Sequence, residues 1–219
     1  MGLNDNIEYD TSGYGNNGTK VGTTYSSDTP KYNVSTVFNE NVDTITVGPC
    51  YSIGQTIDTM TCAIWFKTNT LNSTAPNQVS LGENAFFRFR IASATSVWYY
   101  IRVGSTQCSS TFSCKTLTDN NWHHIAVVFD KGYVYIYIDG NIIGTGNHTS
   151  TAIYMTCNSA GTTWHLAGYT ANSENFIGSE SDFRIYATAL SAADVKSLYN
   201  NSAYIDNQGN VYGAIYEEV

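Results

Sequence analysis

The sequence predicts an all-β protein, a sandwich or barrel of antiparallel strands with one short helix near the C-terminus and an appended β-hairpin. Three observations predict it. Apolar residues recur with period two over most of the 219 residues, β-branched and aromatic residues fill those runs, and Gly, Asn, Ser and Thr clusters separate them. Only one stretch, close to the end, changes to a helical period.

In chain order the alternating runs predict strands over Cys62–Lys67 (CAIWFK), Ala85–Ala92 (AFFRFRIA), Val97–Val103 (VWYYIRV) and His123–Asp130 (HHIAVVFD). Three more follow over Tyr133–Asp139 (YVYIYID), Trp164–Gly168 (WHLAG) and Ser181–Tyr186 (SDFRIY). Lys131-Gly132 and Asp139-Gly140 fall between alternating runs, where tight hairpin turns need positive φ and Gly supplies it. Three consecutive strands therefore meander antiparallel. Ser191-Ala-Ala-Asp194 has capping-box spacing, and Val195, Leu198 and Tyr199 form an i, i+3, i+4 apolar stripe suited to closing one end of a sandwich. Beyond the helix, Ala203–Val219 (AYIDNQGNVYGAIYEEV) reads as a hairpin around Asn207-Gln-Gly-Asn210. An isolated hairpin is marginal in water, which makes this one a docking or self-association element. The expected organisation is one domain over 1–202 and the hairpin extension over 203–219.

Ten Lys and Arg oppose 18 Asp and Glu, a net charge of −8, and charged residues make up only 13% of the chain. About 25% is usual, so polarity here comes from Asn, Ser, Thr and Tyr. Without a basic field there are no counterions to release from phosphates, and nucleic acid is not an expected partner. No run approaches about eighteen consecutive apolar residues, so no membrane insertion is expected. The opening MGLNDNIEYD has neither a basic n-region nor an apolar h-region, which predicts a protein made in the cytoplasm without a signal peptide. Cys50, Cys62, Cys108, Cys114 and Cys157 match no CxxC or zinc spacing and read as reduced small hydrophobes. Cys108 and Cys114, flanking a Ser/Thr-rich loop, are the one pair to test for a disulfide.

Period-two alternation also divides each strand into a core face and an outer face. Phe87, Phe89 and Ile91 face the core, leaving Phe86, Arg88 and Arg90 outside; Val97, Tyr99, Ile101 and Val103 face it, leaving Trp98, Tyr100 and Arg102. Val134, Ile136 and Ile138 point inward, and Tyr133, Tyr135, Tyr137 and Asp139 outward. Rings with a polar handle interleaved with Arg suit sugar recognition, because pyranose C–H faces stack on rings while guanidinium and phenol groups hydrogen-bond hydroxyls or carboxylates. The candidate ligand face is therefore Trp98, Tyr100, Arg102, Arg88, Arg90, Tyr135 and Tyr137. The same residues also fit cross-strand aromatic and cation–π pairs that stabilise a sheet with no ligand, or a face covered by another chain.

Catalytic constellations are missing. The nearest approach to the paired carboxylates of a β-glycosidase, Glu180-Ser-Asp182-Phe-Arg184, ends in Arg. No metal-binding histidine spacing and no G-x-S-x-G elbow occurs, and His123-His124 reads as a packed pair at the start of a strand.

Five segments in order, Asp10-Thr-Ser-Gly-Tyr-Gly-Asn-Asn-Gly-Thr19, Thr61-Cys-Ala-Ile-Trp-Phe-Lys67, Asn121-Trp-His-His-Ile-Ala-Val-Val-Phe-Asp130, Val134-Tyr-Ile-Tyr-Ile-Asp-Gly140 and Asp182-Phe-Arg-Ile-Tyr-Ala-Thr-Ala-Leu-Ser191, resemble the laminin-G-like domains of the concanavalin A-like lectin/glucanase superfamily. The resemblance implies a two-sheet antiparallel β-sandwich, or jelly roll, and a non-catalytic binding module. It also implies a structural Ca²⁺ held by Asp10, the turn after it, and Asp182; an Asx-turn at Asp10 and a solvated Asp182 is the alternative. The low charge and the trailing hairpin resemble modules of bacteriophage virion proteins such as tail and head fibres. The expected function is carbohydrate or host cell-surface recognition within a phage or bacterial surface structure, located on a virion or extracellular surface. Its partners are then a glycan or host-surface polysaccharide, other virion proteins, or a second copy through the hairpin. A purely structural virion protein and a divergent polysaccharide-degrading enzyme are the alternatives.

Overall fold

The computed structural model describes residues 6–30, 34–40, 42–50, 56–71, 77–82, 87–156, 162–168, 175–200, 204–205 and 211–212. Ala85, Phe86, Cys157 and the turn Asn207–Asn210 lie outside them. In chain order the strands are β1 (Ile7–Glu8), β2 (Gly18–Val21), β3 (Thr24–Ser26), β4 (Ser35–Phe38), β5 (Thr44–Cys50) and β6 (Thr56–Ile57). Then come β7 (Thr59–Lys67), β8 (Asn77–Gly82), β9 (Phe87–Ser93), β10 (Ser96–Val103), β11 (Thr106–Ser113), β12 (His123–Asp130) and β13 (Tyr133–Ile138). The last are β14 (Asn141–Asn147), β15 (Met155–Thr156), β16 (Thr162–Leu166), β17 (Gly178–Tyr186), the helix α1 (Ala192–Asn200), β18 (Tyr204–Ile205) and β19 (Val211–Tyr212).

These strands form the two-sheet antiparallel sandwich. The first sheet has the order β1-β2-β5-β16-β8-β9-β10-β15-β6, with β11 also paired to β10; the second has the order β14-β13-β12-β7-β17-β4-β3. One core lies between them, built from Phe87, Phe89, Ile91, Tyr99, Ile101 and Trp164 on one side and Cys62, Ile64, Phe66, Ile125, Val127 and Ile136 on the other. β18 and β19 pair antiparallel as a separate two-stranded sheet, at the position of the expected hairpin. The turns Lys131-Gly132 (φ 45° and 89°) and Asp139-Gly140 (φ 49° and 70°) both have positive φ throughout, and they connect β12, β13 and β14 as the predicted meander.

Two features differ from the reading of the sequence. The Ser/Thr-rich loop between Cys108 and Cys114 is the strand β11, paired with β10 along its whole length. Cys62, Cys108 and Cys114 are free thiols, in agreement with the reduced small hydrophobes read from the sequence. The helix does not close an end of the sandwich; it covers the outer face of the second sheet. Val195 and Leu198 pack there on Ala63, Ala126, Val128 and Tyr137. Ala63 and Ala126 are cross-strand partners, and two methyl side chains side by side leave the depression that a helix can enter. Its N-terminus is the capping box: Ser191 Oγ accepts from Asp194 N at 3.2 Å, while Asp194 Oδ2 accepts from Ser191 N at 2.9 Å.

Candidate ligand-binding face

Five of the seven predicted ligand residues meet on the outer face of the first sheet. A tight turn joins β9 to β10, and this sets their register: Trp98 opposes Arg90, and Tyr100 opposes Arg88. The alternate residues Phe87, Phe89, Ile91, Tyr99 and Ile101 are buried between the sheets, so the pleat turns Arg88, Arg90, Trp98, Tyr100 and Arg102 to the outer face, where Tyr100 is itself covered and only 8% exposed. The side chains then cover one another. The Arg90 guanidinium lies 4.3 Å from the Trp98 ring centre, the Arg88 guanidinium lies 4.7 Å from Tyr100 and 5.2 Å from Trp98, and the two rings are 5.8 Å apart. Cation–π contacts of this kind stabilise by about 0.5–1 kcal/mol each at exposed sites.

The face extends across the sheet. One cross-strand row runs Thr19, Thr46, His165, Leu81, Arg88, Tyr100, Ser109, and a neighbouring row runs Gln78, Arg90, Trp98, Thr111. Thr46 Oγ1 and His165 Nδ1 are 3.3 Å apart. Gln107 lies opposite Arg102, and Gln107, Ser109 and Thr111 are exposed. These polar partners were not predicted as site residues. Their signal was the weak alternation of Cys108, Ser110 and Phe112 against Gln107, Ser109 and Thr111, which Ser and Thr disguise as a loop.

Tyr135 and Tyr137 do not join this face. They belong to β13 in the second sheet, and their outward side is the one the helix covers: Tyr137 is buried against Val195 and Leu198, with Tyr135 packed at the margin. Alternation identified their face correctly as the one away from the inter-sheet core, but a second layer occupies it.

Nor do Asp10 and Asp182 form a cation site. Asp10 accepts from Ser12 N at 2.8 Å through Oδ1 and from Asn16 N at 2.8 Å through Oδ2, closing its own turn. Burial opposes ionisation at Asp10, but these hydrogen bonds outweigh it and hold its pKa below the usual value. Asp182 sits at a β-bulge with φ 54° and accepts from Arg184 Nε at 2.5 Å. Among the described residues no group of three or more His, Cys, Asp or Glu is placed to hold a metal ion. The carboxylates do not fit the calcium site that the resemblance implies.

The remaining acid–base candidates are built into the interior. Glu180 opposes Phe66 across β17 and β7 and therefore shares its core-facing side. It is 3% exposed, and neither carboxylate oxygen has a hydrogen-bond partner among the described residues. Burial raises its pKa well above the ordinary value. His123 is also buried: Nδ1 lies 3.0 Å from Asp139 Oδ2 and Nε2 lies 3.1 Å from Asp119 Oδ1. Asp139 also accepts from His124 N at 2.7 Å and pairs with Lys115. The two histidines are thus packed at the start of β12, as read from the sequence.

With this arrangement in view, the relationships of the chain can be stated. Residues 39–196 match the laminin G-type family model of the concanavalin A-like lectin/glucanases superfamily. The chain belongs to that superfamily. A rat relative, the sushi, von Willebrand factor type A, EGF and pentraxin domain-containing protein 1, is 28% identical over 163 residues. That match covers 71% of this chain and only 4% of the rat protein, so the superfamily domain here corresponds to a small part of it. Domain 4 of AbnA, a GH43 extracellular arabinanase from Geobacillus stearothermophilus solved with arabinotriose, is similar with TM-score 0.64 and 19% identity over 87% of this chain and 91% of that one. The botulinum neurotoxin serotype D ligand binding domain, solved with N-acetylneuraminic acid, is similar with TM-score 0.65 and 16% identity over 88% of this chain and 47% of that one. At such identities the likeness is one of fold.

Proposed function

We propose that the protein is a non-catalytic glycan-binding module whose ligand lies along the outer face of the first sheet. The observation that carries the reading is the register of β9 and β10, which stacks Arg88 and Arg90 on Trp98 and Tyr100 in one continuous patch. Such a patch offers both components of sugar recognition, a ring surface for C–H contacts and fixed donors for hydroxyls. The arabinotriose and N-acetylneuraminic acid bound by the two similar structures support a glycan as the ligand class. Catalysis is disfavoured by the position of Glu180, whose carboxyl is enclosed between the sheets, and by the engagement of Asp182 with Arg184. The setting expected from the sequence, a virion or other surface structure, belongs to the same proposal; an antibody to the protein that failed to label purified particles or the cell envelope would remove it.

The glycan reading is tested by an array screen of the full chain beside Trp98→Ala. We expect the wild type to be retained by a defined set of glycans, and the variant to lose retention while its melting temperature falls only modestly, since Trp98 is half-exposed. Retention unchanged in Trp98→Ala would overturn the assignment of this face. No retention of the wild type by any glycan would overturn the function.

A further inference from the structure

We infer that this face selects acidic glycans, in particular chains of sugars bearing a carboxylate; the inference rests on the glycan-binding reading above and names the ligand class of that same site. The first observation is an inversion of charge. The chain has a net charge of −8 and only four arginines, yet three of them, Arg88, Arg90 and Arg102, stand on adjacent strands of one sheet face. The fourth, Arg184, lies on the other sheet and donates to Asp182. Along the two cross-strand rows that contain Arg88 and Arg90, and at the Arg102 and Gln107 pair beside them, no position is Asp or Glu. Three of the four arginines of an acidic protein thus share a sheet face with Trp98.

The second observation concerns Arg102. Among the described residues its guanidinium makes no hydrogen bond or ion pair, and its Nε is shielded from solvent without a partner. Arg102 follows Tyr100 by two residues and so projects from the same side of β10. A guanidinium offers planar, forked donors that match a carboxylate in two parallel hydrogen bonds, which an ammonium cannot reproduce. A sugar ring lying on Trp98 carries an equatorial carboxylate outward in its own plane, where a flanking arginine can meet it. A neutral sugar in the same place would desolvate the cation without compensating its charge.

The global charge sharpens this preference. Screening confines the arginine field to about 8 Å at physiological ionic strength, while the rest of the acidic protein repels a polyanion. Recognition therefore needs a carboxylate seated against the rings, and charge density by itself is insufficient.

The test is calorimetric titration of the full chain with oligogalacturonate, hyaluronate oligosaccharide and sialyllactose, each beside its carboxyl-reduced form, with dextran sulfate as a carboxyl-free polyanion. We expect at least one acidic probe to bind about tenfold or more tightly than its reduced form. Arg102→Gln and Arg90→Gln should each weaken it about tenfold, and Arg102→Lys, which keeps the charge but loses the fork, should recover little of the loss. Melting curves of the three variants establish that they are folded, and Trp98→Ala serves as the ring control. Equal affinity for acidic and reduced forms, or an unchanged affinity in folded Arg variants, overturns the inference and leaves the glycan reading standing. Dextran sulfate binding as tightly as the carboxylated probes overturns it too. Absence of binding to every probe overturns it, and the separate array screen then decides whether the broader reading fails with it.

Discussion

At Glu180 a side chain that water would ionise readily is enclosed between two sheets, with no partner for either oxygen among the described residues. Its folded-state pKa is raised by burial, so the fold binds a proton there that the unfolded chain releases at a lower pH. Stability from this group is therefore full below the ordinary value of 4.5 and is lost as pH rises from there toward the raised value. His123 acts in the same direction. Burial alone would lower its pKa, but the carboxylates of Asp139 and Asp119 outweigh that and raise it, so its contribution is full below 6.5 and fades as pH rises through the folded-state value. Asp119, held at about 2 chiefly by its hydrogen bond with Asn121, works oppositely: its contribution is full above the ordinary value of 3.8 and is lost as pH falls through about 2. We expect Glu180→Gln to melt at about the wild-type temperature at pH 4 and above it at pH 8, by an amount on the order of 1–3 kcal/mol. Coincident melting curves at pH 8 would show that Glu180 has a partner in solution.

At the scale of elements, the helix and the strand β11 illustrate opposite kinds of legibility. The helix was visible in the sequence because its cap and its apolar stripe are local, and the structure contains both the reciprocal bonds of Ser191 with Asp194 and the burial of Val195 and Leu198. Its seat was not visible, because it depends on Ala63 and Ala126 lying side by side, residues far apart in the chain. Ala126→Leu should therefore lift the helix and destabilise the protein by about 1–3 kcal/mol, measured by chemical denaturation. A neutral effect would mean the helix docks loosely. The strand β11 hid in the sequence because Ser and Thr dominate it, and its strand conformation comes from pairing with β10 and from Phe112, which stacks on Tyr99 at 6.1 Å. Gly144 on β14 makes room for that ring; a Cβ there would overlap it. A preference set by a neighbouring strand leaves little trace in the segment itself.

At the scale of the whole molecule, the two outer faces of the sandwich are covered differently. The second sheet buries its outer face under the helix and so lacks an open aromatic surface at Tyr137, whereas the first sheet leaves Trp98 and its arginines at the surface. The Asp10 turn and the Asp182 bulge are each closed by their own hydrogen bonds. We accordingly expect excess chelator to leave both the melting temperature and glycan retention unchanged. A fall in melting temperature on chelation, restored by calcium, would reveal a bound ion through mass action.

Two orders of interaction separate what the chain alone determined from what folding decided. The sequence by itself established the all-β class, the meander through two glycine turns, the capped helix and the inward or outward sense of residues 87–91, 97–103 and 133–138, because period two and turn chemistry are properties of neighbouring residues. The folded sheet set Arg88 and Arg90 opposite Tyr100 and Trp98, through the register of β9 and β10. Only the tertiary structure assigned Tyr135 and Tyr137 to the other sheet, enclosed Glu180 and extended the candidate face to Ser109 and Thr111. Those outcomes depend on the order of strands within each sheet and on what covers each sheet, and both are decided by pairings and burial between segments distant in the chain.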